Sequence, residues 1–353
     1  MKCLSLPFLS WLVLSTEARY RCKGIDGKQV DWFVAYKLPT AVANAQGGKA
    51  FVYSDNNNPG WQLSKKLIDD ADSAIGATIS EVYKSDSSSF VFMYSDDGPA
   101  TPVDSYRGHA KGVLLFDGST GFWMVHSVPN FPPLNSYAYP PTGMKFAQSF
   151  ICVSVSATPF KTNLPDKFAT RFPTLRTIVS KKSLPSSTTV FTSSKHIKTE
   201  NGALFHSYSK HKKFNADLWQ DVVAADMKVS MGVQSWLNGG ADDLHSSCRK
   251  DAINIYDITD ISIAGANFSS SKDHSKWAVS DVSRRPVVCV GDLNRQKSQL
   301  KRGGGALCIE DAKLWQTYRK SVLDVEACSG SLPSSLIHSL VYVVFAAATL
   351  YIL

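Results

Sequence analysis

The chain has 353 residues, of which 44% are apolar and 11% are aromatic. This composition is enough to bury one large core or two smaller ones, and it excludes a globally disordered chain. The formal net charge of +8 favours an anionic partner such as nucleic acid or an acidic lipid surface, although many unrelated secreted proteins are equally basic.

The N-terminus has the pattern of a secretory signal peptide. A lysine precedes the apolar run 4–14, and small residues at positions 16 and 18 suit cleavage after Ala18. The sequence therefore predicts that residues 1–18 are removed and that the mature chain follows the secretory pathway.

The first half of the mature chain alternates short apolar runs with polar turns, which is typical of strands. A helix is predicted within residues 61–83, where apolar residues recur at helical spacing. The predicted strands are 30–36, 89–94, 112–116, 121–126 and 146–153.

The second half again mixes the two kinds of element. Helices are predicted within 168–179, 217–227 and 312–323, and strands at 188–192, 202–209, 228–236, 252–263, 277–280 and 286–291. We therefore predict a mixed α/β fold in two units, residues 19–155 and 156–330.

Residues 331–353 form a hydrophobic C-terminal tail. Small residues at 329–331, a short spacer and an uncharged terminal run match the signal for a glycolipid (GPI) anchor. A membrane-spanning helix is the alternative, but the run is near the lower length limit and has no basic flank. If neither signal is used, the protein is secreted or lysosomal.

The mature chain would keep an even number of cysteines, as expected in an oxidising compartment. The six are Cys22, Cys152, Cys248, Cys289, Cys308 and Cys328. No two of them have the close spacing of a zinc site, so we predict no metal site. We predict three disulfides, but the sequence does not determine which cysteines pair. The triplet Asn267-Phe268-Ser269 is an N-glycosylation acceptor and predicts a surface position for Asn267.

Two His-x-Lys triplets are the main candidates for chemistry. His109 and Lys111 precede one predicted strand in the first half, and His274 and Lys276 precede another in the second half. One such triplet is more often a surface histidine beside a solvated lysine. Two of them, brought together, could cleave a phosphodiester without a metal, because the imidazoles can act as nucleophile, base and acid while the lysines hold the phosphate charge.

The second triplet is followed by Asp281 at the spacing of the phospholipase D signature, whereas Asp117 comes one residue too late after the first. Over longer stretches the chain resembles the deoxyribonuclease II family, which is related to phospholipase D. The matching stretches are VDWFVAYKLP (30–39), RGHAKGVLLFD (107–117), GFWMVHSVPNFPP (121–133), FICVS (150–154), DHSKWAVS (273–280), CVGDLNR (289–295) and RGGGALC (302–308).

The resemblance implies two phospholipase-D-like units packed around one shared active site. It implies an acid endonuclease that needs no metal or cofactor and cleaves double-stranded DNA of any sequence to 3′-phosphate and 5′-hydroxyl ends. His109, Lys111, His274 and Lys276 would be catalytic, with His109 forming a phosphohistidine and His274 acting as acid and then base. The implied disulfides are Cys22–Cys152, Cys248–Cys328 and Cys289–Cys308.

An acid optimum is also expected from the imidazoles themselves. The reaction needs one neutral and one protonated imidazole, and neighbouring lysines lower the pKa of both from an ordinary value of about 6.5. That combination of protonation states is therefore most populated at mildly acidic pH.

His126 and Asn294 lie in stretches that carry the resemblance, and they are candidates for supporting the site or contacting DNA. Alternatively, His126 is a structural residue of an apolar strand. Asn294, like residues 303–305, could instead shape a tight turn near the site. The basic cluster 210–213 could follow the DNA backbone or be a solvated face. Two rival functions remain: a phospholipase-D-like phosphodiesterase, and a secreted DNA-binding protein without activity.

Overall fold

The computed structural model describes residues 19–99, 102–104, 106, 108–117, 119–156, 186–237, 242–248 and 253–328. The predicted signal peptide, the helix within 168–179 and the C-terminal tail lie outside these residues. Within the described part of the chain, no helix is long and apolar enough to cross a membrane.

Strands from residues 32–156 form one antiparallel sheet of seven strands, in the order β3-β2-β1-β7-β6-β5-β4. The strands are β1 (Trp32–Lys37), β2 (Phe51–Asp55), β3 (Gln62–Leu63), β4 (Phe90–Ser95), β5 (Lys111–Phe116), β6 (Thr120–His126) and β7 (Gln148–Ser156). Helix α1 (Ala74–Tyr83) begins where the Ser73 side chain accepts a hydrogen bond from the Gly76 amide.

Strands from residues 192–325 form a second sheet of nine strands, in the order β12-β11-β10-β13-β14-β15-β9-β8, with β16 paired to β11. They are β8 (Thr192–Lys198), β9 (Leu204–Lys210), β10 (Met231–Gln234), β11 (Ile255–Ile263), β12 (Ala266–Ser269), β13 (Trp277–Ser280), β14 (Val287–Gly291), β15 (Gly304–Glu310) and β16 (Val322–Val325). The helices are α2 (Ala225–Met227), directly after a π-helix at Trp219–Ala224, α3 (Lys297–Leu300) and α4 (Ala312–Ser321).

The two sheets pack face to face around a shared apolar core. Along β1, Trp32, Val34 and Tyr36 face this core, while Phe33 and Ala35 face the layer that contains α1. This alternation follows from the two-residue period of a strand.

Strand β14 follows the same rule in the second sheet. Val288 and Val290 enter the shared core, whereas Val287 and Cys289 pack with Trp219 of the π-helix on the outer face. The layers are therefore helix, sheet, sheet and helix, and the predicted mixed α/β class is confirmed.

The six cysteines form three disulfides. They join Cys22 to Cys152, Cys248 to Cys328 and Cys289 to Cys308, which are the pairs that the resemblance implies. Three disulfides fit a secreted or lysosomal protein. Asn267 on β12 is exposed, as an N-glycosylation acceptor must be.

The structure differs from the prediction in several places, and the predicted helix within 217–227 is mostly a π-helix. The helix within 61–83 starts only at Ala74, because the polar stretch before it makes turns and ends in the cap Ser73. The strand at 188–192 is wrong: β8 covers Thr192–Lys198, an edge strand whose exposed polar side chains give no apolar signal. Residues 303–305 do not form a separate tight turn, because β15 already starts at Gly304.

Candidate active site

Each His-x-Lys triplet lies at the start of a strand and is held by the opposite sheet. The backbone N–H of His109, before β5, donates to the Gly303 carbonyl oxygen at 2.8 Å, and that of His274, before β13, donates to the Ala147 carbonyl oxygen at 2.9 Å. Gly303 precedes β15 and Ala147 precedes β7. The two triplets are therefore fixed where the sheets meet.

The four side chains of the triplets act on one another electrostatically. Burial lowers the pKa of both His109 and His274 well below the ordinary value, and the charges of Lys111 and Lys276 lower both further. Burial together with the charge of Lys111 lowers the pKa of Lys276 to about 7. Both lysine side chains are almost inaccessible, with 3% of Lys111 and 1% of Lys276 exposed. The fold thus brings the predicted catalytic residues into one site.

The tautomer of His109 follows from its hydrogen bond. Its Nδ1 atom lies 2.8 Å from the backbone carbonyl oxygen of Asp292. A carbonyl oxygen only accepts, so Nδ1 carries the proton, and the lone pair of the neutral ring is on Nε2. Nε2 is consequently the nitrogen that is available for nucleophilic attack.

A buried carboxylate links cations from both halves of the chain. Asp96, directly after β4, accepts from Lys111 Nζ at 2.5 Å and from Arg302 Nη2 at 2.9 Å. Arg302 Nε also donates to the Gly108 carbonyl oxygen at 2.9 Å, and its charge lowers the pKa of His109. Asp96 and Arg302 were not singled out from the sequence, because nothing in their own spacing indicates this contact.

The imidazole of His274 lies between aromatic rings. Trp236 packs edge-on at 4.3 Å between ring centroids, and Phe146 stacks at 6.1 Å. Among the described residues, its Nδ1 atom has no hydrogen-bond partner of normal geometry, and burial lowers the pKa of the ring more than the nearby Ser127 backbone raises it. The ring is therefore desolvated, while Lys276 Nζ donates to the His274 carbonyl oxygen at 2.7 Å.

A buried acidic side chain lies next to each triplet. The buried carboxyl of Asp273 accepts from the hydroxyl of Tyr36 and from the Ser275 amide, and burial raises its pKa. Asp292 Oδ2 accepts from the Gly305 amide at 3.0 Å, and burial raises its pKa to about 7. These two residues belong to stretches that carry the resemblance, but their contacts could not be read from spacing.

His126 on β6 is fully buried. Its ring meets Phe131 edge-on at 5.1 Å, and its Nδ1 accepts from the Val128 amide at 3.3 Å. Burial and, to a lesser degree, the charge of Lys111 lower its pKa to about 3. A neutral, packed ring beside Lys111 favours a structural role next to the site.

Two other sequence candidates have their contacts elsewhere. The Asn294 amide donates to Gln296 Oε1 at 3.5 Å, whereas Asp292, two residues earlier, contacts His109. Asp281 lies beyond the far end of β13 from Lys276, and its amide donates to the Ser230 carbonyl oxygen. The aspartate of the phospholipase D spacing therefore lies at the opposite end of the strand from the site.

The basic cluster 210–213 is only partly available to a ligand. Lys210 is buried, and its Nζ donates to the carbonyl oxygens of Leu300 at 2.7 Å and Arg302 at 2.8 Å. The Lys212 ammonium lies 3.3 Å from the ring centroid of Tyr106. Lys210 thus stabilises the loop that presents Arg302, and only the residues after it remain candidates for phosphate contact.

Within the described residues, no group of three or more His, Cys, Asp or Glu side chains could hold a metal ion. The chemical groups at the site are two desolvated imidazoles beside two buried ammonium groups. These are groups that can supply a nucleophile, an acid, a base and positive charge for a phosphate.

Comparison with known proteins agrees with this class. Residues 21–328 match the sequence model of the family Deoxyribonuclease II, and the chain belongs to this family. It is 47% identical to Cell-death-related nuclease 7 of Caenorhabditis elegans over 98% of each chain. It is 35% identical to Deoxyribonuclease-2-alpha of Sus scrofa (92% of this chain, 94% of the relative). With Plancitoxin-1 of Acanthaster planci it shares 32% identity, over 92% of this chain and 97% of the relative. The predicted family and its enzyme class, the nucleases, are confirmed.

Proposed function

We propose that the protein is a metal-independent acid endonuclease that cleaves double-stranded DNA at any sequence. The observation that carries the proposal is that the charges of both Lys111 and Lys276 act on both His109 and His274. A phosphate bound among these groups would meet two cations and two imidazoles at once, so no divalent ion is required to neutralise its charge.

In the first step, His109 Nε2 attacks phosphorus and His274 donates a proton to the departing 5′ oxygen. The bond between phosphorus and that oxygen breaks, which leaves a 5′-hydroxyl end and a 3′-phosphoryl group on His109. The hydrogen bond from Nδ1 to the Asp292 carbonyl oxygen supports His109 as the nucleophile, because it leaves Nε2 unprotonated and oriented.

In the second step, neutral His274 takes a proton from water as the water attacks phosphorus. The bond between phosphorus and His109 breaks, releasing a 3′-phosphate end and restoring both histidines. Lys111 and Lys276 would hold the non-bridging oxygens in both steps.

The lowered pKa of His274 explains why the enzyme would need acid. At neutral pH the ring is unprotonated and cannot donate to the leaving oxygen, so the rate should rise as the pH falls. It should fall again when His109 also becomes protonated. Bound phosphate, being anionic, raises the pKa of both rings and brings the useful range towards mildly acidic pH.

The test is cleavage of supercoiled plasmid in EDTA at mildly acidic pH, with phosphatidylcholine assayed in parallel. DNA cleavage with 5′-hydroxyl ends, which accept a labelled phosphate from a kinase without prior dephosphorylation, supports the proposal. Loss of activity on chelation would contradict it. Hydrolysis of the lipid alone would favour a phospholipase-D-like phosphodiesterase. DNA binding without cleavage would favour a secreted DNA-binding protein without activity.

We further propose that residues 1–18 are cleaved, that 19–155 and 156–330 are the two phospholipase-D-like units, and that residues 331–353 are a signal for a glycolipid anchor. Each sheet is built from one continuous half of the chain, which supports this division into two units. Mass spectrometry of both ends of the mature protein tests the processing, because a glycolipid at 329–331 and an uncleaved tail differ in mass.

A further inference from the structure

A row of aromatic side chains lines one face of the edge strand β4. The rings of Phe90 and Phe92 are stacked with their centroids 6.4 Å apart, and the rings of Phe92 and Tyr94 are 5.8 Å apart. Phe92 is 37% exposed. Phe90 packs against the core between the sheets, so the row faces the space between them, on a strand that is at the edge of its sheet among the described residues.

Trp123 on β6 continues this surface. It lies in register with Phe92 across Leu114 of β5, and its Nε1 donates to the Tyr94 hydroxyl at 3.0 Å. The Tyr94 ring lies over Gly112, where a Cβ would be 2.3 Å from the hydroxyl oxygen. Gly112 thus allows Tyr94 and Trp123 to form one continuous wall.

A cavity of about 280 Å³ separates this wall from β9 of the second sheet. We call it the β4–β9 trough. Its lining includes Tyr94 and Trp123 on the first sheet and Ser207 and Ser209 on the second. Lys195 is paired with Ser207 in the neighbouring strand β8. One wall of the trough is therefore aromatic, the other carries two serine hydroxyls, and most of the exposed lining is apolar.

The trough opens onto the candidate active site. Ala110, between His109 and Lys111, lines it, and so does Asp292, whose carbonyl oxygen orients His109. Asp292 Oδ1 has no hydrogen-bond partner of normal geometry among the described residues, although the Lys111 amide lies near this carboxyl, and burial raises the carboxyl's pKa to about 7. At acidic pH the carboxyl is therefore protonated, and it can donate or accept a hydrogen bond where the trough meets the site.

We propose that the β4–β9 trough binds one unpaired nucleobase of the DNA strand, adjacent to the cleaved phosphate. This inference rests on the proposed function and adds a substrate subsite to it. A nucleobase has flat faces that stack on Tyr94 and Trp123, and polar edge groups that can exchange hydrogen bonds with the Asp292 carboxyl or with the serines. A lipid chain has neither feature and would leave these polar groups unpaired.

The size of the trough fits this occupant. A volume of about 280 Å³ corresponds to roughly nine water molecules at about 30 Å³ each, which is enough for one base. To stack on the aromatic wall, a base of a duplex must turn out of its own stack, as it does in enzymes that act on extruded nucleotides. Because every base has a flat face, such a subsite is compatible with cleavage at any sequence.

The experiment uses short single-stranded oligonucleotides in which one phosphodiester is flanked by uncharged methylphosphonate linkages, so that only one bond can be cleaved. Matched substrates carry an abasic residue on the 5′ side, on the 3′ side or on neither side of that bond. The wild-type enzyme should cleave one of the two abasic substrates with kcat/KM lower by about fivefold or more, because stacking of a base contributes about 1–3 kcal/mol.

Filling the trough should abolish this discrimination. Ser207→Phe should reduce cleavage of the intact substrate to the level of the abasic one and leave abasic cleavage unchanged, which also shows that the variant is folded. Ser194→Phe places the same ring on the opposite face of the same hairpin and should keep the wild-type ratio.

Equal cleavage of all substrates by the wild-type enzyme would overturn the subsite while leaving the proposed function intact. A Ser207→Phe variant that keeps the wild-type ratio would also overturn it. If the wild-type enzyme cleaves none of the substrates and no plasmid, the proposed function fails and the subsite fails with it.

Discussion

The Nδ1 atom of His109 lies 2.8 Å from the backbone carbonyl oxygen of Asp292, although the two residues belong to different sheets. This hydrogen bond determines which ring nitrogen of His109 can react. Its acceptor, the carbonyl oxygen of Asp292, belongs to the residue that directly follows β14. The second sheet thus orients a residue of the first, and the site depends on how the two sheets pack.

The roles of the two histidines predict different responses to the leaving group. Replacing the DNA leaving group with p-nitrophenolate removes the need for a general acid, so His274→Ala should still release one equivalent of p-nitrophenol in a burst. His109→Ala should release none, because the nucleophile is absent. Stopped-flow absorbance measures the burst, and a burst in His109→Ala with none in His274→Ala would reverse the assignment.

The carboxylate of Asp96, which bonds both Lys111 and Arg302, predicts an effect on kcat. Asp96→Asn should lower kcat more than it changes KM, because Lys111 loses its fixed position, and should cost about 3–5 kcal/mol of unfolding free energy, as breaking a buried ion pair does. Steady-state kinetics and denaturant titration measure the two effects.

Asp72→Asn is the matched control, since the Asp72 ion pair with Lys66 is exposed; it should leave kcat and stability unchanged. Wild-type kcat in Asp96→Asn would show that the Asp96 bridge does not position Lys111.

The pKa of about 7 for Lys276 predicts that anion binding weakens in mild alkali. Below this pH the side chain is charged and attracts an anion, and above it the charge is progressively lost. Sulfate keeps its charge across this range, so its dissociation constant should rise between about pH 7 and pH 8.5. Isothermal titration calorimetry measures this constant without requiring activity, and a value that stays flat over this range would contradict a lowered Lys276 pKa.

The buried ring of His126 predicts a loss of stability in acid. Its folded pKa of about 3 lies below the unfolded value, so its contribution is present above about pH 6.5 and is lost as the pH falls towards 3. Between pH 6.5 and 4.5 this amounts to about 2–3 kcal/mol. The His126→Gln variant should therefore lose less unfolding free energy than the wild type between these two pH values. Denaturant titration at both pH values measures the loss, and equal losses in the two proteins would contradict the prediction.

The sequence was sufficient for elements with a strong apolar pattern. The predicted strand 277–280 matches β13, because its apolar residues are flanked by polar ones and both of its faces are buried. Strand β8 could not be found, because an exposed edge strand such as Thr192–Lys198 needs only backbone pairing and can be polar throughout.

For the site, the two triplets were visible because each is a local pattern. The contact between Arg302 and Asp96 joins residues 206 positions apart, and it exists only because the sheets pack together. The disulfide pairs came from the resemblance, since six cysteines alone leave the pairing open.

The most direct test of a single shared site is the plasmid-nicking rate in EDTA at about pH 5, below the ordinary histidine pKa, for His109→Ala, His274→Ala and the double variant. If both histidines serve one site, each single variant should lose about a hundredfold or more, and the double variant should be no slower than the slower single variant. His196→Ala, on the polar edge strand β8, should keep wild-type activity. If each single variant keeps about half of the wild-type nicking rate and only the double variant loses most or all of it, the two histidines act in separate sites. That result would contradict one shared active site.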